Sequence, residues 1–99
     1  MKNYEMMLIF NPEMDEGSVT AEISKITTVI EKSKGNIQRN EIWGVKKLAY
    51  PIKHQDNGFY ILLYFNSETS VLPELDRLNK INDKILRHLI VKTGESQLK

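Results

Sequence analysis

The chain has 99 residues, of which 40% are apolar and 27% are charged, and its formal net charge is +1. A chain of this length can bury only about two thirds of its unfolded surface, so we expect one domain over 1–99 rather than two. The absence of cysteine excludes disulfides, thiolate nucleophiles and sulfur-ligated zinc. The near-zero charge excludes a strong general attraction to nucleic acid, so any RNA binding depends on local clusters.

The amino-terminal apolar stretch does not resemble a signal peptide, because Glu5 interrupts it and Asn11-Pro12 ends it. No apolar run approaches the roughly 20 residues that cross a bilayer. We therefore expect a cytoplasmic protein that makes no membrane contact.

The first third of the chain predicts a strand followed by a helix. Residues 3–10 carry apolar side chains on both faces, which is typical of a central strand. The acidic residues Glu13, Asp15 and Glu16 favour a helix start, and Gly35 predicts a left-handed cap at its end. The apolar stripe of this helix consists of Val19, Ile23, Ile26 and Ile30.

The middle of the chain predicts a hairpin. Residues 36–52 form a long second strand with a possible bulge at Gly44. The sequence Asp56-Asn57-Gly58 predicts the turn, and residues 59–65 form the third strand. Tyr60 and Tyr64 share one face of that strand, and their hydroxyls favour partial exposure.

The last third predicts a second helix and a final strand. Thr69 or Ser70 can cap the helix and Pro73 fits its first turn, while Val71, Leu75 and Leu78 form its stripe. Residues 85–92 form the last strand, and a short polar tail covers 93–99.

The order βαββαβ predicts an α+β fold, the ferredoxin-like split βαβ sandwich, with a four-stranded antiparallel sheet and two helices on one face. Its second and fourth strands are the sheet edges. Pro51 agrees with this, since proline is tolerated on an edge strand.

The residue pattern does not predict an enzyme. The two histidines, His54 and His88, have no nucleophile or metal-ligand cluster around them in the sequence, and the five glycines are scattered. The loop from Asn11 to Glu16 contains three acids and no arginine, which argues against phosphate-cleaving enzymes of the acylphosphatase type. We expect no catalysis, no cofactor, no metal and no small-molecule ligand.

Basic residues recur on the predicted strands and turns. Lys46 and Lys47 lie on an edge strand, where lysines also prevent aggregation between sheets. The aromatic third strand loosely resembles that of an RNA-recognition motif, in which rings stack on bases, although aromatic side chains more often fill a core.

Several segments together resemble one family over essentially the whole chain: the sixth protein of the bacterial small ribosomal subunit, the ribosomal protein S6 family. They are Tyr4-Glu5, Asn11-Pro12, Trp43-Gly44-Val45-Lys46-Lys47, Leu48-Ala49-Tyr50-Pro51-Ile52, Gly58 and the strand from Arg87 to Lys92.

The resemblance implies a non-enzymatic sandwich that binds the central domain of small-subunit ribosomal RNA as a partner of the eighteenth small-subunit protein. It implies that the partner faces the second-strand edge, namely Glu41, Ile42, Lys46, Lys47 and Tyr50. It implies that RNA is approached by Lys2, Tyr4, Arg87 and Lys92. Two departures from the family pattern are Ile42, where charged residues often lie, and a tail whose only acid is Glu95.

Two alternatives remain open at this point. The chain could be a stand-alone RNA-recognition-type module that stacks single-stranded bases on Tyr60 and Tyr64. It could also be a dimeric ferredoxin-like regulatory domain, associating through Ile42 and Trp43.

Overall fold

The computed structural model describes residues 2–93 and confirms the predicted architecture. Its elements are β1 (Lys2–Phe10), α1 (Glu16–Lys32), β2 (Asn36–Ile52), β3 (Gln55–Ser67), a 3-10 turn (Thr69–Val71), α2 (Leu72–Ile81) and β4 (Ile85–Lys92). The strands form one antiparallel sheet in the order β2-β3-β1-β4, so β1 is central and β2 and β4 are the edges. Apart from Thr93, the predicted tail lies outside the described residues.

The main core lies between the sheet and the helices. Alternate side chains of β1 and β3 point toward the helices, and each is at most 7% exposed. They are Tyr4, Met6, Leu8 and Phe10 on β1 and Phe59, Ile61, Leu63 and Phe65 on β3. The predicted stripe of α1 packs against them. Each such side chain contributes roughly 1.5–3 kcal/mol when fully buried.

The start of α1 follows the sequence prediction, whereas its end differs. The side chain of Asp15 caps the helix by accepting a 2.7 Å hydrogen bond from the backbone N–H of Ser18, which holds the pKa of Asp15 below its ordinary value. The left-handed residue is Lys34, with φ of 68°, and not Gly35. Gly35 is needed for space instead, because a Cβ there would lie 2.4 Å from the carbonyl oxygen of Asn66.

The prediction that the hairpin turn lies at Asp56-Asn57-Gly58 is wrong. Lys53 and His54 form the turn, with φ of 49° and 67°, and Gly58 lies within β3 opposite Lys46. Gly58 lies so close to β1 that a Cβ would be 2.3 Å from Cγ2 of Ile9. The turn prediction failed because this glycine serves a close approach between strands rather than a turn.

The pairing of β2 with β3 is irregular at three places. Its register shifts between Ile37 and Arg39, between Ile42 and Gly44, and between Lys47 and Ile52 at the hairpin end. Gly44 has φ of 81°, which confirms the predicted bulge. Each shift changes which alternate side chains point toward the helices.

The second helix lacks the predicted side-chain cap. The hydroxyl of Thr69 instead lies 3.1 Å from that of Tyr4. Pro73 is in the first turn as predicted. The buried positions of α2 are Leu75 and Asn79, while Leu78, predicted as part of the stripe, is only half-buried.

Candidate functional site

The face of the sheet opposite the helices, here called the open face, carries the other parity of each strand. The register places Glu5, Met7 and Ile9 beside Tyr64, Leu62 and Tyr60 on one side, and beside Val91, Leu89 and Arg87 on the other. These residues mix charged, aromatic and aliphatic side chains, unlike the helix-covered face.

Aromatic rings and charges from β2 and β3 form a continuous row on the open face. Trp43 stacks on Tyr60 with ring centroids 6.5 Å apart, and the Arg39 guanidinium lies 4.9 Å above the Tyr64 ring. Glu41 forms an ion pair with Arg39 and accepts a 3.0 Å hydrogen bond from the Trp43 indole. One face of each tyrosine ring is therefore already covered.

An amide cluster lies at the start of β1. The side-chain oxygen of Asn3 accepts hydrogen bonds of 3.1 Å from Gln38 and 3.0 Å from Asn66. Lys2 lies beside Asn3 at the same end of the sheet, and Thr93 donates its backbone N–H to the carbonyl of Asn3. This end thus combines amide groups with a cation, both of which suit phosphate or base contacts.

The residues predicted to approach RNA do not form one patch. Lys2 and Arg87 are exposed and Lys92 is half-buried. Lys92 pairs with Tyr4 at one end of the sheet, whereas Arg87 pairs with Ile9 near the other, a separation of about 17 Å at 3.3 Å per residue.

Tyr4 corrects the sequence interpretation. Its side chain is only 4% exposed, its ring lies 5.6 Å from that of Phe65, and it faces the helices. Its alternating position in β1 puts it in the core, so it offers almost no surface to a ligand.

The residues predicted to form the protein-partner edge have different surroundings in the structure. Ile42, Lys46 and Lys47 are exposed on β2, together with Trp43 and Val45 at 46% and 54% exposure. Glu41 is half-buried in the ion pair described above.

Tyr50, predicted with that edge, extends across the open face. Its hydroxyl is hydrogen-bonded to Nη1 of Arg87 on β4. The segment from Leu48 to Ile52 is therefore a cover over the open face rather than a straight continuation of the edge.

The two histidines occupy structural positions, one in a contact between β4 and α2 and the other in the hairpin turn. His88 Nε2 lies 2.8 Å from the Asp76 carboxylate and so joins β4 to α2. The hydrogen bond with His88, followed by that with Lys80, holds the pKa of Asp76 below its ordinary value. His54 occupies the hairpin turn. Among residues 2–93, no three His, Cys, Asp or Glu side chains meet in a way that could hold a metal.

Sequence reasoning missed the contribution of Arg39, Gln38 and Asn66 to the open face. Period-two alternation along β2 could not place Gln38 and Arg39, because the bulges change the parity of the strand. Asn66 lies one residue beyond the end of the predicted third strand. A search for polar residues opposite the tyrosines would also have required the register.

Comparison with known proteins gives one consistent result. The family model described as ribosomal protein S6 matches residues 3–92. The small ribosomal subunit protein bS6 of Desulforamulus reducens is 42% identical over 95 residues, covering 96% of this chain and all of the relative. The bS6 protein of Corynebacterium kroppenstedtii is 39% identical over 93 residues, covering 94% of this chain and 98% of the relative.

A solved structure agrees with these relatives. The crystal structure of 30S ribosomal protein S6 from Thermotoga maritima superimposes with a TM-score of 0.87 at 28% identity, covering 95% of this chain and 89% of that one. No helix among the described residues is long and apolar enough to cross a membrane. The family match, the relatives and the solved structure show that the chain belongs to the ribosomal protein S6 family. It is a non-enzymatic structural protein of the small ribosomal subunit, in the cytoplasm.

Proposed function

We propose that the chain binds small-subunit ribosomal RNA jointly with the eighteenth small-subunit protein, which docks on the outer edge of β2. Membership of the family supports the ribosomal setting. The partner and the RNA contacts are inferred from the surface of this chain.

The free edge of β2 supports the protein contact most directly. β2 is 17 residues long, and among residues 2–93 its one sheet neighbour is β3, so one side of its backbone is available to a partner strand or side chains. Ile42, Trp43 and Val45 expose between 44% and 54% of their surface there. Clustered exposed apolar side chains of this kind mark interaction surfaces, and aromatic residues are favoured in them.

The charge distribution supports joint rather than independent RNA binding. The net charge is only +1, and the exposed cations Lys2 and Arg87 lie toward opposite ends of the sheet. Each neutralised phosphate contributes about 0.7–0.9 to the salt slope of binding. With so few cations among the predicted RNA contacts, the chain alone should bind RNA weakly, and a docked partner would supply a larger basic surface.

The alternative of base stacking on Tyr60 and Tyr64 is less favoured by the geometry. Trp43 covers one face of Tyr60 and Arg39 covers one face of Tyr64. Base-stacking platforms need accessible ring faces, so these rings would have to be uncovered first.

The edge can be tested by replacing Lys46 and Lys47 together with glutamate. If the two lysines face a partner surface of complementary charge, the double variant places like charges opposite each other. Association with the eighteenth protein should then weaken by about tenfold or more, because unfavourable charge pairs at an interface cost several kcal/mol. Isothermal titration calorimetry measures this directly.

A matched control reverses Lys32 and Lys34, which are also exposed but precede β2. The start of that strand is about 33 Å from Lys46 at 3.3 Å per residue. Association should be unchanged in the control. Unchanged affinity in the Lys46/Lys47 variant would remove this edge from the interface.

A further inference from the structure

The end of the β2–β3 hairpin is longer on β2 than on β3. Lys47 pairs with Asn57, and the next pair is Ile52 with Gln55. Residues 48–51 therefore face the single residue Asp56, and the extra length folds over the open face. Leu48 is 7% exposed and packs with Ile9 and Leu86 in a small second cluster.

Because residues 48–51 fold over the open face, the end of β2 contacts β4, although the two strands are not neighbours in the sheet. The sheet order puts β3 and β1 between them, yet the Tyr50 hydroxyl is hydrogen-bonded to the Arg87 guanidinium. A second contact runs from Nζ of Lys53 to the carbonyl of Ile85 at 3.5 Å. The hairpin end is thus held to β4 at two points.

Arg87 differs from the other two arginines of the chain. Arg39 and Arg77 form ion pairs with Glu41 and Glu74. Arg87 forms no ion pair within residues 2–93 and is bound to a neutral hydroxyl. A hydroxyl orients the guanidinium without neutralising its charge, so Arg87 keeps its full attraction for an anion.

We propose that Tyr50 is a positioning residue for RNA binding: its hydroxyl holds the Arg87 guanidinium in the orientation that receives a phosphate. This rests on the proposed function, in which Arg87 contacts RNA. With Nη1 bound to Tyr50, the remaining N–H donors of the planar guanidinium are free for a paired contact with phosphate oxygens. Less side-chain freedom is then lost when RNA binds.

The test compares Tyr50→Phe, Arg87→Ala and the double variant as preformed pairs with the eighteenth protein. Affinity for a fragment of the small-subunit RNA central domain is measured at several salt concentrations. Tyr50→Phe keeps the ring and should weaken binding by about three- to tenfold, because an unrestrained Arg87 side chain loses more rotational freedom when RNA binds. The salt slope should not change.

Arg87→Ala should weaken binding further and reduce the salt slope by about 0.7–0.9, since one phosphate contact is lost. The double variant should bind no more weakly than Arg87→Ala, because the hydroxyl acts only through Arg87. Arg77→Ala is the matched control: it removes an exposed guanidinium of α2 that is paired with Glu74 and should leave both RNA affinity and the salt slope unchanged.

Three results would overturn the positioning role. They are full affinity in Tyr50→Phe, an additional loss in the double variant, which would mean that Tyr50 touches RNA itself, and an unaffected Arg87→Ala variant. The last result would also remove Arg87 from the proposed RNA surface.

Rotation of the Arg87 guanidinium, measured by nitrogen NMR in the free protein, separates this inference from the proposed function. Faster rotation in Tyr50→Phe, with an unchanged backbone spectrum, supports the contact even if the pair fails to bind RNA. Unchanged rotation overturns it whatever the RNA result.

Discussion

The two faces of the sheet are built from alternate residues of the same strands, yet they differ in composition and surroundings. Toward the helices, β1 and β3 present a run of aliphatic and aromatic side chains that are almost fully buried. The open face presents Arg39, Glu41, Trp43 and Arg87 among tyrosines and leucines, with only a small apolar cluster under the hairpin end.

This difference indicates that the helix-covered face supplies most of the stability and that the open face and the β2 edge are available for partners. Substitutions on the first face should lower the free energy of unfolding. Those at exposed positions of the second should change binding with little effect on stability.

The largest effect is expected for Leu8→Ala, which removes a fully buried side chain from the main core. The free energy of unfolding should fall by about 2–5 kcal/mol, since the variant loses apolar contact and leaves a cavity. Urea denaturation followed by circular dichroism measures the change. Leu89→Ala on the open face, where Leu89 is 40% exposed, is the control and should lie within about 0.5 kcal/mol of the wild type. Equal losses would contradict the division of the faces.

A smaller effect is expected for Leu48→Ala, which tests the apolar cluster under the hairpin. The loss should be about 2 kcal/mol, at the low end for a buried leucine because the site lies near the surface and can collapse. Amide hydrogen exchange of residues 48–52 should become faster. Val45→Ala, at a position that is 54% exposed, should change neither quantity. A fully stable Leu48→Ala variant would show that the hairpin end lies on the open face without stabilising it.

The smallest effect is expected for Glu22→Gln, which tests a buried charge on the helix side. Burial raises the pKa of Glu22, but hydrogen bonds from Asn82, Lys84 and Lys25 together outweigh it and hold the pKa below the ordinary value of 4.5. The variant should be less stable by about 1 kcal/mol at pH 7, a value that allows for the solvent screening of the two lysines.

The pH dependence follows from the sign of that shift. A carboxylate that is more acidic in the folded protein contributes its full stability above pH 4.5, and the contribution is lost as the pH falls through the folded pKa. The difference between wild type and variant should therefore disappear at low pH. Glu31→Gln, at an exposed position of the same helix, should leave the free energy of unfolding at pH 7 within about 0.5 kcal/mol of the wild type. A pH profile that Glu22→Gln leaves unchanged would refute this role.

Local patterns predicted most of the elements correctly. The bounds predicted for β2 and β4 match the structure, because β-branched residues and turn residues mark both strands. The stripe of α1 was also correct, since a period of 3.6 residues depends only on the helix itself. The hairpin turn was misplaced because an Asn-Gly pair signals a turn only when its glycine is not required for packing, and Gly58 is required against Ile9.

The candidate site was predicted less completely than the fold. Lys46 and Lys47 are exposed on the edge as expected. Tyr4 is buried, and Tyr50, predicted with the edge, reaches across the open face to Arg87. The roles proposed for these residues remain predictions.

The sequence by itself determined the order of strands and helices, the edge position of β2 and the family resemblance, because these depend on residue types and spacings along the chain. The tertiary structure alone decided which residues share the open face. Two bulges change the parity of β2, and the unequal lengths of the hairpin strands fold Tyr50 over to Arg87. The parity of β2 and the position of Tyr50 both depend on how the strands pair, and a local sequence pattern does not predict that pairing.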